Sequence, residues 1–200
     1  MDRKFISCNF VCWLVIMLLA ACQNSDKVAS NDPMSKYLEL SMEERRSPQN
    51  ATGSFLTAEG LQVSLFAAEP LVVNPTNMDI DHQGRVWVLE SPNYGLPNQE
   101  KNPQGGRITI LEDTDGDGVA DISTLFYQGP DVDTALGIAV LGNKVYVTRS
   151  PHLLVFTDNN GDDIPDSKEI VLTGMGKPGD HSSHALVFGP DGKFDWNMGN

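Results

Sequence analysis

The sequence predicts an all-β domain, a partial β-propeller of about three blades, and three observations lead to this fold class. Short apolar runs with alternating polar residues follow one another after position 55, separated by Gly, Asn, Asp and Pro. An acidic turn recurs at a fixed distance, which indicates an internal repeat. No segment of this region keeps the 3.6-residue period of a helix. The first alternating run, at Leu61, Val63 and Leu65, is expected to be a strand.

Three predicted hairpins share one pattern, in which an apolar strand, a tight turn and a strand with an aromatic residue follow in order. They cover residues 78–88, 137–147 and 185–196. Their turns supply residues that accept a positive φ, namely Gly84, Gly142-Asn143 and Asp191-Gly192. With one acidic turn and one further strand, such a hairpin makes a four-stranded unit of about 45–60 residues, the size of a propeller blade. A β-sandwich is the alternative, but it does not predict equal internal units.

The acidic turns cover residues 113–121 and 158–166, so they begin 45 residues apart. Oxygen-bearing side chains at positions 1, 3, 5 and 9 of such a turn are the pattern of a calcium loop. The candidate ligands are Asp113, Asp115, Asp117, Asp121, Asp158, Asn160, Asp162, Asp166 and Glu169. Each turn departs from the pattern: Thr124 replaces the bidentate glutamate in the first, and Asp163 replaces the bend glycine in the second. The alternative is a pair of well-solvated Asx-rich turns without metal.

The N-terminus predicts export. Arg3 and Lys4 precede an apolar stretch, residues 11–21, that is shorter than the ~20 residues needed to span a bilayer. The stretch ends in Leu-Ala-Ala-Cys, which resembles the lipobox of bacterial lipoproteins. We therefore expect residues 1–21 to be a lipoprotein signal peptide and Cys22 to carry the lipid, with an uncleaved anchor as the alternative. Residues 22–53 are then a polar tether and residues 54–200 the domain.

Charge and cysteine content exclude several functions. A formal net charge of −13 repels phosphate backbones, so no nucleic-acid partner is expected. Cys8 and Cys12 fall inside the predicted signal peptide, which leaves no pair for a disulfide in the mature chain. Because no Cys-x-x-Cys-His motif is present, this sequence binds no c-type haem by itself.

The segment 180–200 resembles the active-site stretch of soluble quinoprotein glucose dehydrogenases and related sugar dehydrogenases dependent on pyrroloquinoline quinone (PQQ). The matching residues are His181, Ser183, Leu186, the run 188–192 and Gly199. The resemblance implies that His181 is the general base that takes the substrate hydroxyl proton while hydride passes to PQQ. Asn200 stands at the position of the aspartate that orients this histidine. His184 and Asp195 also depart from the family pattern.

A wider resemblance covers nearly all of the chain beyond the tether. The runs 65–75, 81–90, 105–121, 152–166, 170–174 and 183–194 resemble the membrane-bound dehydrogenases of Planctomycetes, Verrucomicrobia and Bacteroidetes. This implies the N-terminal part of a six-bladed propeller of the glucose/sorbosone dehydrogenase type. It further implies a sugar or alcohol substrate, PQQ as cofactor, and a cytochrome c domain or protein as electron acceptor in full-length relatives. Ca²⁺ is expected from the acidic turns.

Two functions are therefore expected as alternatives. In the first, the protein is an exported, lipid-anchored, PQQ-dependent dehydrogenase that faces the periplasm or cell surface. In the second, it is a non-catalytic, calcium-stabilised propeller that binds glycan or protein there. Because the sequence stops in the middle of a hairpin, we expect a truncated piece of a longer protein that is inactive alone.

The other conspicuous side chains are expected to be structural. Trp87, Tyr146 and Trp196 lie in hairpin strands and are expected to pack in the core. His82 is expected in a solvated turn, and His152 in packing or at the surface. Glu90 follows an apolar strand and is expected either to line the propeller mouth or to face solvent.

Overall fold

The computed structural model describes residues 33–97, 100–176 and 183–199, and the chain divides into two compact units, residues 1–61 and 62–200. The first unit is helical in its described part, with α1 (Pro33–Glu39), α2 (Met42–Arg46) and a 3₁₀ helix (Pro48–Ser54). A reciprocal pair of hydrogen bonds starts α2: the Glu44 amide donates to Ser41 Oγ, and the Ser41 amide donates to the Glu44 carboxylate. None of the described helices is long and apolar enough to cross a membrane.

The second unit contains every described strand, and each sheet is antiparallel, as expected for an all-β domain. The first sheet joins β1 (Pro75–Ile80), β2 (Val86–Glu90), β3 (Gly106–Glu112) and β4 (Ile122–Gly129) in that order. The second sheet repeats this meander with β5 (Gly137–Leu141), β6 (Lys144–Arg149), β7 (His152–Thr157) and β8 (Ser167–Thr173). A two-stranded hairpin follows, formed by β9 (Leu186–Phe188) and β10 (Phe194–Trp196).

The strand expected at residues 61–65 is wrong. Leu61 is 69% exposed, and no strand occurs between positions 55 and 74. Instead, Phe66 and its neighbours up to Val72 lie against the outer face of the first sheet, where they pack on Val86 and Val88. Leu61 and Val63 are both exposed, so their alternation with polar residues corresponds neither to a strand nor to a packed face. A short alternating pattern does not show whether a partner strand is available to pair with it.

One apolar core fills the space between the first and second sheets. Trp87 and Phe126 of the first sheet meet edge to face, with ring centroids 4.8 Å apart. Phe126 in turn lies 6.4 Å from Phe156 of the second sheet, and Val147 and Leu154 complete that side. Since these side chains are almost fully buried, the two sheets are held face to face mainly by the hydrophobic effect.

Side chains of β1 join the first sheet to the second at their first strands. Thr76 Oγ1 and Asn77 Nδ2 donate to carbonyl oxygens of residues 135 and 136, each over 2.9 Å. The Asp79 carboxylate accepts the amide of Val140 over 2.7 Å. Strands β1 and β5 therefore run side by side in the same direction without a backbone ladder between them.

The β9–β10 hairpin packs on the face of the second sheet that points away from the first sheet, and the backbones approach closely there. Tyr146, Phe188 and Phe194 form an aromatic group whose ring centroids lie 4.0–5.4 Å apart. Gly137 lies so close to the hairpin that a Cβ there would overlap the carbonyl oxygen of His184. Thr148 Oγ1 donates to the same carbonyl over 2.7 Å. Tyr146 and Trp196 were both expected to pack in the core, and both lie against this cluster of apolar side chains.

Because consecutive strands in each sheet run in opposite directions, the connections between them lie on two opposite sides of the second unit. We use "turn edge" for the side that carries the tight hairpin turns and both acidic turns, residues 81–85, 113–121, 142–143 and 158–166. We use "linker edge" for the opposite side, which carries the connections 91–105, 130–136 and 150–151. The described ends of the connection from β8 to β9, residues 174–176 and 183–185, also lie at the linker edge.

Candidate functional site

The two described ends of the dehydrogenase-like motif, at residues 183–185 and 197–199, lie at the linker edge, and the first of them is firmly held. Ser183 is buried, and its hydroxyl accepts a hydrogen bond from the Trp196 indole over 3.1 Å. The His184 amide donates to the Asn197 carbonyl over 3.0 Å, which closes the β9–β10 hairpin. On the other flank, the Met175 amide donates to the Pro151 carbonyl over 3.1 Å.

Three predicted functional residues fall outside the part of the chain that the structure describes. They are His181, the expected general base; Asn200, at the position of its orienting partner; and Cys22, the expected lipidation site. Their roles stay predictions. The structure does describe the two flanks of His181, Met175 on one side and Ser183 on the other.

Buried polar groups surround the same edge. Asn93 is almost fully buried; its amide group donates to the Asn102 carbonyl over 2.9 Å and to Asp133 Oδ2 over 3.2 Å. Asp133 Oδ1 and Ser91 Oγ are both buried and have no hydrogen-bond partner among the described residues. A buried polar atom without a hydrogen-bond partner lowers the stability of a folded protein, and such atoms are usually hydrogen-bonded to water or to a ligand.

The backbone at this edge is strained next to those groups. Thr134, beside Asp133, has a φ of 60°, and Asn74 has a φ of 48°. Asn74 also donates through Nδ2 to the Ser91 carbonyl over 2.7 Å, so its side chain fixes the start of the 91–105 connection. Positive φ at residues other than glycine concentrates at functional sites, and Asn adopts it more readily than most other residues.

Glu90 neither lines a mouth nor faces solvent, so that expectation is wrong. Its side chain is completely buried. The Arg107 guanidinium donates to both carboxylate oxygens, over 3.0 and 2.8 Å, and the Thr109 hydroxyl and the Val73 amide donate to the same group. A buried carboxylate needs this full set of donors, and the sequence showed only an acidic residue after an apolar strand.

The first acidic turn brings three carboxylates together. Oxygens of Asp113, Asp115 and Asp117 lie within 4.8 Å of one another. Asp113 accepts the amides of Gly116 and Gly118 over 2.7 and 2.8 Å, which fixes its carboxylate at the centre of the turn. These donors leave free lone pairs on all three carboxylates. The donor set is therefore of the hard oxygen type that Ca²⁺ prefers.

Asp121 closes the first turn rather than joining this group. Its Oδ2 accepts the Thr114 amide over 2.8 Å and the Thr114 hydroxyl over 2.7 Å. These hydrogen bonds hold the pKa of Asp121 below its usual value. The side chain is thus ionised through the physiological range.

The second turn has the same internal hydrogen bonds as the first. Asp158 accepts the amides of Gly161 and Asp163 over 2.8 and 3.0 Å, and Asp166 accepts the Asn159 amide over 2.6 Å. Among the described residues, however, no group of three carboxylates converges there. Asn160 and Asp162 hydrogen-bond to each other over 3.0 Å, and Glu169 lies in β8 opposite Val155.

Asp163 has a role that sequence reasoning missed. Its carboxylate accepts two hydrogen bonds from Arg85 Nη1, over 2.9 and 3.0 Å, and so joins the second sheet to the first. Arg85 also donates through Nε to Asp81 over 2.8 Å, and the Trp87 indole donates to the same Asp81 oxygen over 2.9 Å. Burial favours the neutral form of Asp81, but these donors outweigh it and lower its pKa. Only the close spacing of Asp81 and Arg85 is visible in the sequence.

The other histidines lie where they were expected. His82 is exposed in the β1–β2 turn, at the turn edge. His152 begins β7, and its Nδ1 lies 2.9 Å from the Thr173 hydroxyl. Neither is near a second histidine or a carboxylate group with metal-binding geometry among the described residues.

Comparison with known proteins identifies one family and several similar solved structures. No curated protein matches the sequence. Two solved structures of Trichoderma reesei Carbohydrate-Active Enzymes Family AA12, an iodide and a calcium structure, are similar at 18% and 16% identity with TM-scores of 0.49 and 0.48. Each match covers 68% of this chain and 31% of that chain, so the chain spans about a third of their length. A family model described as a domain of unknown function, DUF7133, matches residues 47–200, and the chain therefore belongs to the DUF7133 family.

Proposed function

We propose that this chain is part of an exported quinone-dependent dehydrogenase of sugars or alcohols, with His181 as the base that accepts the substrate hydroxyl proton. Imidazole suits this step because its pKa lies near neutrality. The proposal is for the whole protein, since the chain spans about a third of the structures it resembles.

One observation carries the proposal: the described residues next to His181, Ser183 and His184, are built into the linker edge as a fixed element. Ser183 is buried against the Trp196 indole, and the His184 carbonyl accepts the Thr148 hydroxyl of the second sheet. A base must be held at a defined distance from its substrate, and Ser183, which follows the expected base by two positions in the sequence, is a fixed point of the fold. The buried, unpartnered oxygens of Ser91 and Asp133 at the same edge support a polar ligand nearby.

We further propose that the two sheets and the hairpin are successive blades of a β-propeller. Two features support this arrangement: each sheet is a four-stranded meander, and the first strands β1 and β5 lie side by side in the same direction. In such a fold the linker edges of all blades meet around one axis, and loops there can combine into one site.

The described residues do not by themselves fit PQQ. When bound, this quinone would accept the hydride, and it carries three carboxylates that need cationic partners. At the linker edge Arg107 is committed to Glu90, which leaves Arg149 as a guanidinium without a carboxylate partner among the described residues. We therefore assign no residue of this chain to the quinone.

Dye reduction by the full-length protein tests the proposal. The protein is reconstituted with PQQ and Ca²⁺ and assayed on a panel of sugars and alcohols, as wild type, His181→Ala and His82→Ala. Removing the general base is expected to lower the rate by roughly 10²–10⁴-fold. His82→Ala is the matched control because this exposed histidine lies at the turn edge, and its rate is expected to equal that of wild type.

Equal rates for wild type and His181→Ala would exclude the proposed base. No activity in any form, with PQQ shown to be absent by its absorption, would leave the alternative of a calcium-stabilised binding module for glycan or protein.

A further inference from the structure

We propose that Arg149 is an anion-binding residue in a groove between the two sheets, and that the groove takes a small organic carboxylate. The groove has a volume of about 650 Å³. Its walls come from the connection between the sheets at Pro130 and Asp131, and from the inner face of the second sheet. This proposal is independent of the proposed dehydrogenase activity.

Strand register places the groove side chains on one face of the second sheet. Arg149 of β6 lies opposite His152 of β7, and Leu154 lies opposite Ile170 of β8. Leu154 belongs to the core shared with the first sheet, so residues that alternate in phase with it face the same way. The groove therefore has a cationic end at Arg149, with His152 opposite it, and an apolar floor at Leu154 and Ile170.

Arg149 is held only weakly. Its Nε donates to the Asp133 carbonyl over 3.4 Å, and Nη1 donates to the Ser150 carbonyl over 3.3 Å, both long for hydrogen bonds. Among the described residues no carboxylate lies within ion-pair distance of it. Arg85 and Arg107, by contrast, are each locked to carboxylates. In a chain with 27 acidic and 14 basic side chains, an arginine without an acidic partner indicates a place for an external anion.

Two acidic residues, Asp131 and Glu169, line the groove, and neither is paired with Arg149. Asp131 accepts hydrogen bonds from Lys168 and from the Tyr127 hydroxyl, and it forms an ion pair with Lys168. Glu169 lies opposite Val155, on strand positions that alternate to the other face from Leu154. Nearby, Asp133 directs Oδ2 to the Asn93 amide group. Within the described residues, Arg149 is thus the cation of the groove that has no carboxylate partner.

The shape of the groove selects the ligand class. A guanidinium offers two parallel N–H donors, which match the two oxygens of a carboxylate. Ile170 is 56% exposed and Leu154 lies beside it, so an apolar body attached to the carboxylate would cover surface that is otherwise in contact with water. Inorganic phosphate would satisfy the guanidinium but would leave that floor uncovered.

Calorimetric titration of the 200-residue chain tests this assignment. The probe is benzoate, with benzamide as a neutral molecule of the same shape and inorganic phosphate as an anion without an apolar body. Benzoate is expected to bind more tightly than both. Arg149→Gln is expected to weaken benzoate binding by at least about tenfold. Arg149→Lys keeps the positive charge but loses the two parallel N–H donors, and it is expected to weaken binding by less.

Arg46→Gln is the matched control, because Arg46 is exposed in α2 and its removal changes the net charge by the same amount. This variant is expected to bind benzoate as wild type does. Thermal unfolding of each variant shows whether it is folded, and the Arg149→Lys form keeps the test valid if Arg149→Gln is not. Benzamide binding equal to that of benzoate, an unchanged affinity in folded Arg149→Gln and Arg149→Lys, or no benzoate binding by wild type at tens of millimolar would each overturn the proposal.

Discussion

Asp163 shows how one residue meets two structural demands. It occupies the sixth position of the second acidic turn with a φ of 62°, where the first turn has Gly118 with a φ of 87°. Asp tolerates this conformation better than most residues, and its carboxylate reaches Arg85 of the first sheet. The departure from the calcium-loop pattern is therefore explained by a bond between sheets.

This double role predicts that two substitutions at Asp163 lower the free energy of unfolding by different amounts. Asp163→Asn keeps the backbone preference but removes the charge, and it should lower the free energy of unfolding by about 1 kcal/mol, since the pair is partly screened by solvent. Asp163→Gly loses the same bond but relieves the backbone, so its net cost should be smaller. Urea denaturation measures both.

A double-mutant cycle with Arg85→Gln provides the control. If Arg85 and Asp163 interact as the structure indicates, the Asp163→Asn cost should shrink once Arg85 is absent. An Asp163→Asn cost that is the same in both backgrounds would contradict the bridge between the sheets.

The acidic turns are the elements in which sequence and structure agree most closely. Their spacing, their glycines and their acceptor positions could all be identified in the sequence, because hydrogen bonds within a turn involve residues that are close in the chain. The hairpin turns were visible for the same reason. The segment 66–72 was not, because its apolar side chains pack on a sheet face formed by residues distant in the sequence.

Calcium should stabilise the protein through the first turn. For a site with a Kd of about 0.1–1 mM, 10 mM Ca²⁺ should raise the free energy of unfolding by about 1–3 kcal/mol, measurable as a higher Tm. Asp117→Asn keeps the acceptor oxygen for the Val119 amide but removes one of three convergent charges, and it should abolish most of this gain.

Asp162→Asn is the matched control for that experiment. Asp162 holds the equivalent position of the second turn and accepts the Ile164 amide in the same way, but no third carboxylate converges there among the described residues. The calcium-dependent gain should persist in this variant. A gain that is lost equally in both variants, or absent from wild type, would exclude the first turn as the calcium site.

At the scale of the whole molecule, the two contacts between successive sheets are made differently. In addition to the apolar core, the first contact uses polar side chains of β1, such as Asn77 and Asp79, which bind the backbone of the second sheet. In addition to the aromatic group, the second contact uses close approach at Gly137 and the Thr148 hydroxyl. Neither was predictable from the sequence, because both depend on which distant strands become neighbours.

Gly137→Ala should therefore destabilise the contact with the hairpin strongly. Its Cβ would overlap both the His184 carbonyl oxygen and Thr148 Oγ1, and moving them apart should cost about 1–3 kcal/mol. Hydrogen exchange should show the largest loss of protection in β9 and β10. Gly142→Ala serves as a comparison, because its added Cβ has no atom within 4 Å and its cost comes from the φ of 60° alone. An equal loss of protection in β9 and β10 for the two variants would contradict the close-approach explanation.

The two acidic turns share a set of hydrogen bonds that defines a compact signature for this architecture. Six positions carry it: Asp at positions 1, 5 and 9, Asp or Asn at position 3, Gly at position 4, and Gly or Asp at position 6. The remaining positions differ between the copies, as Thr114 and Asn159 do. Detection of further copies in related chains can therefore depend on these six positions and the spacing of about 45 residues, even where overall identity between units is low.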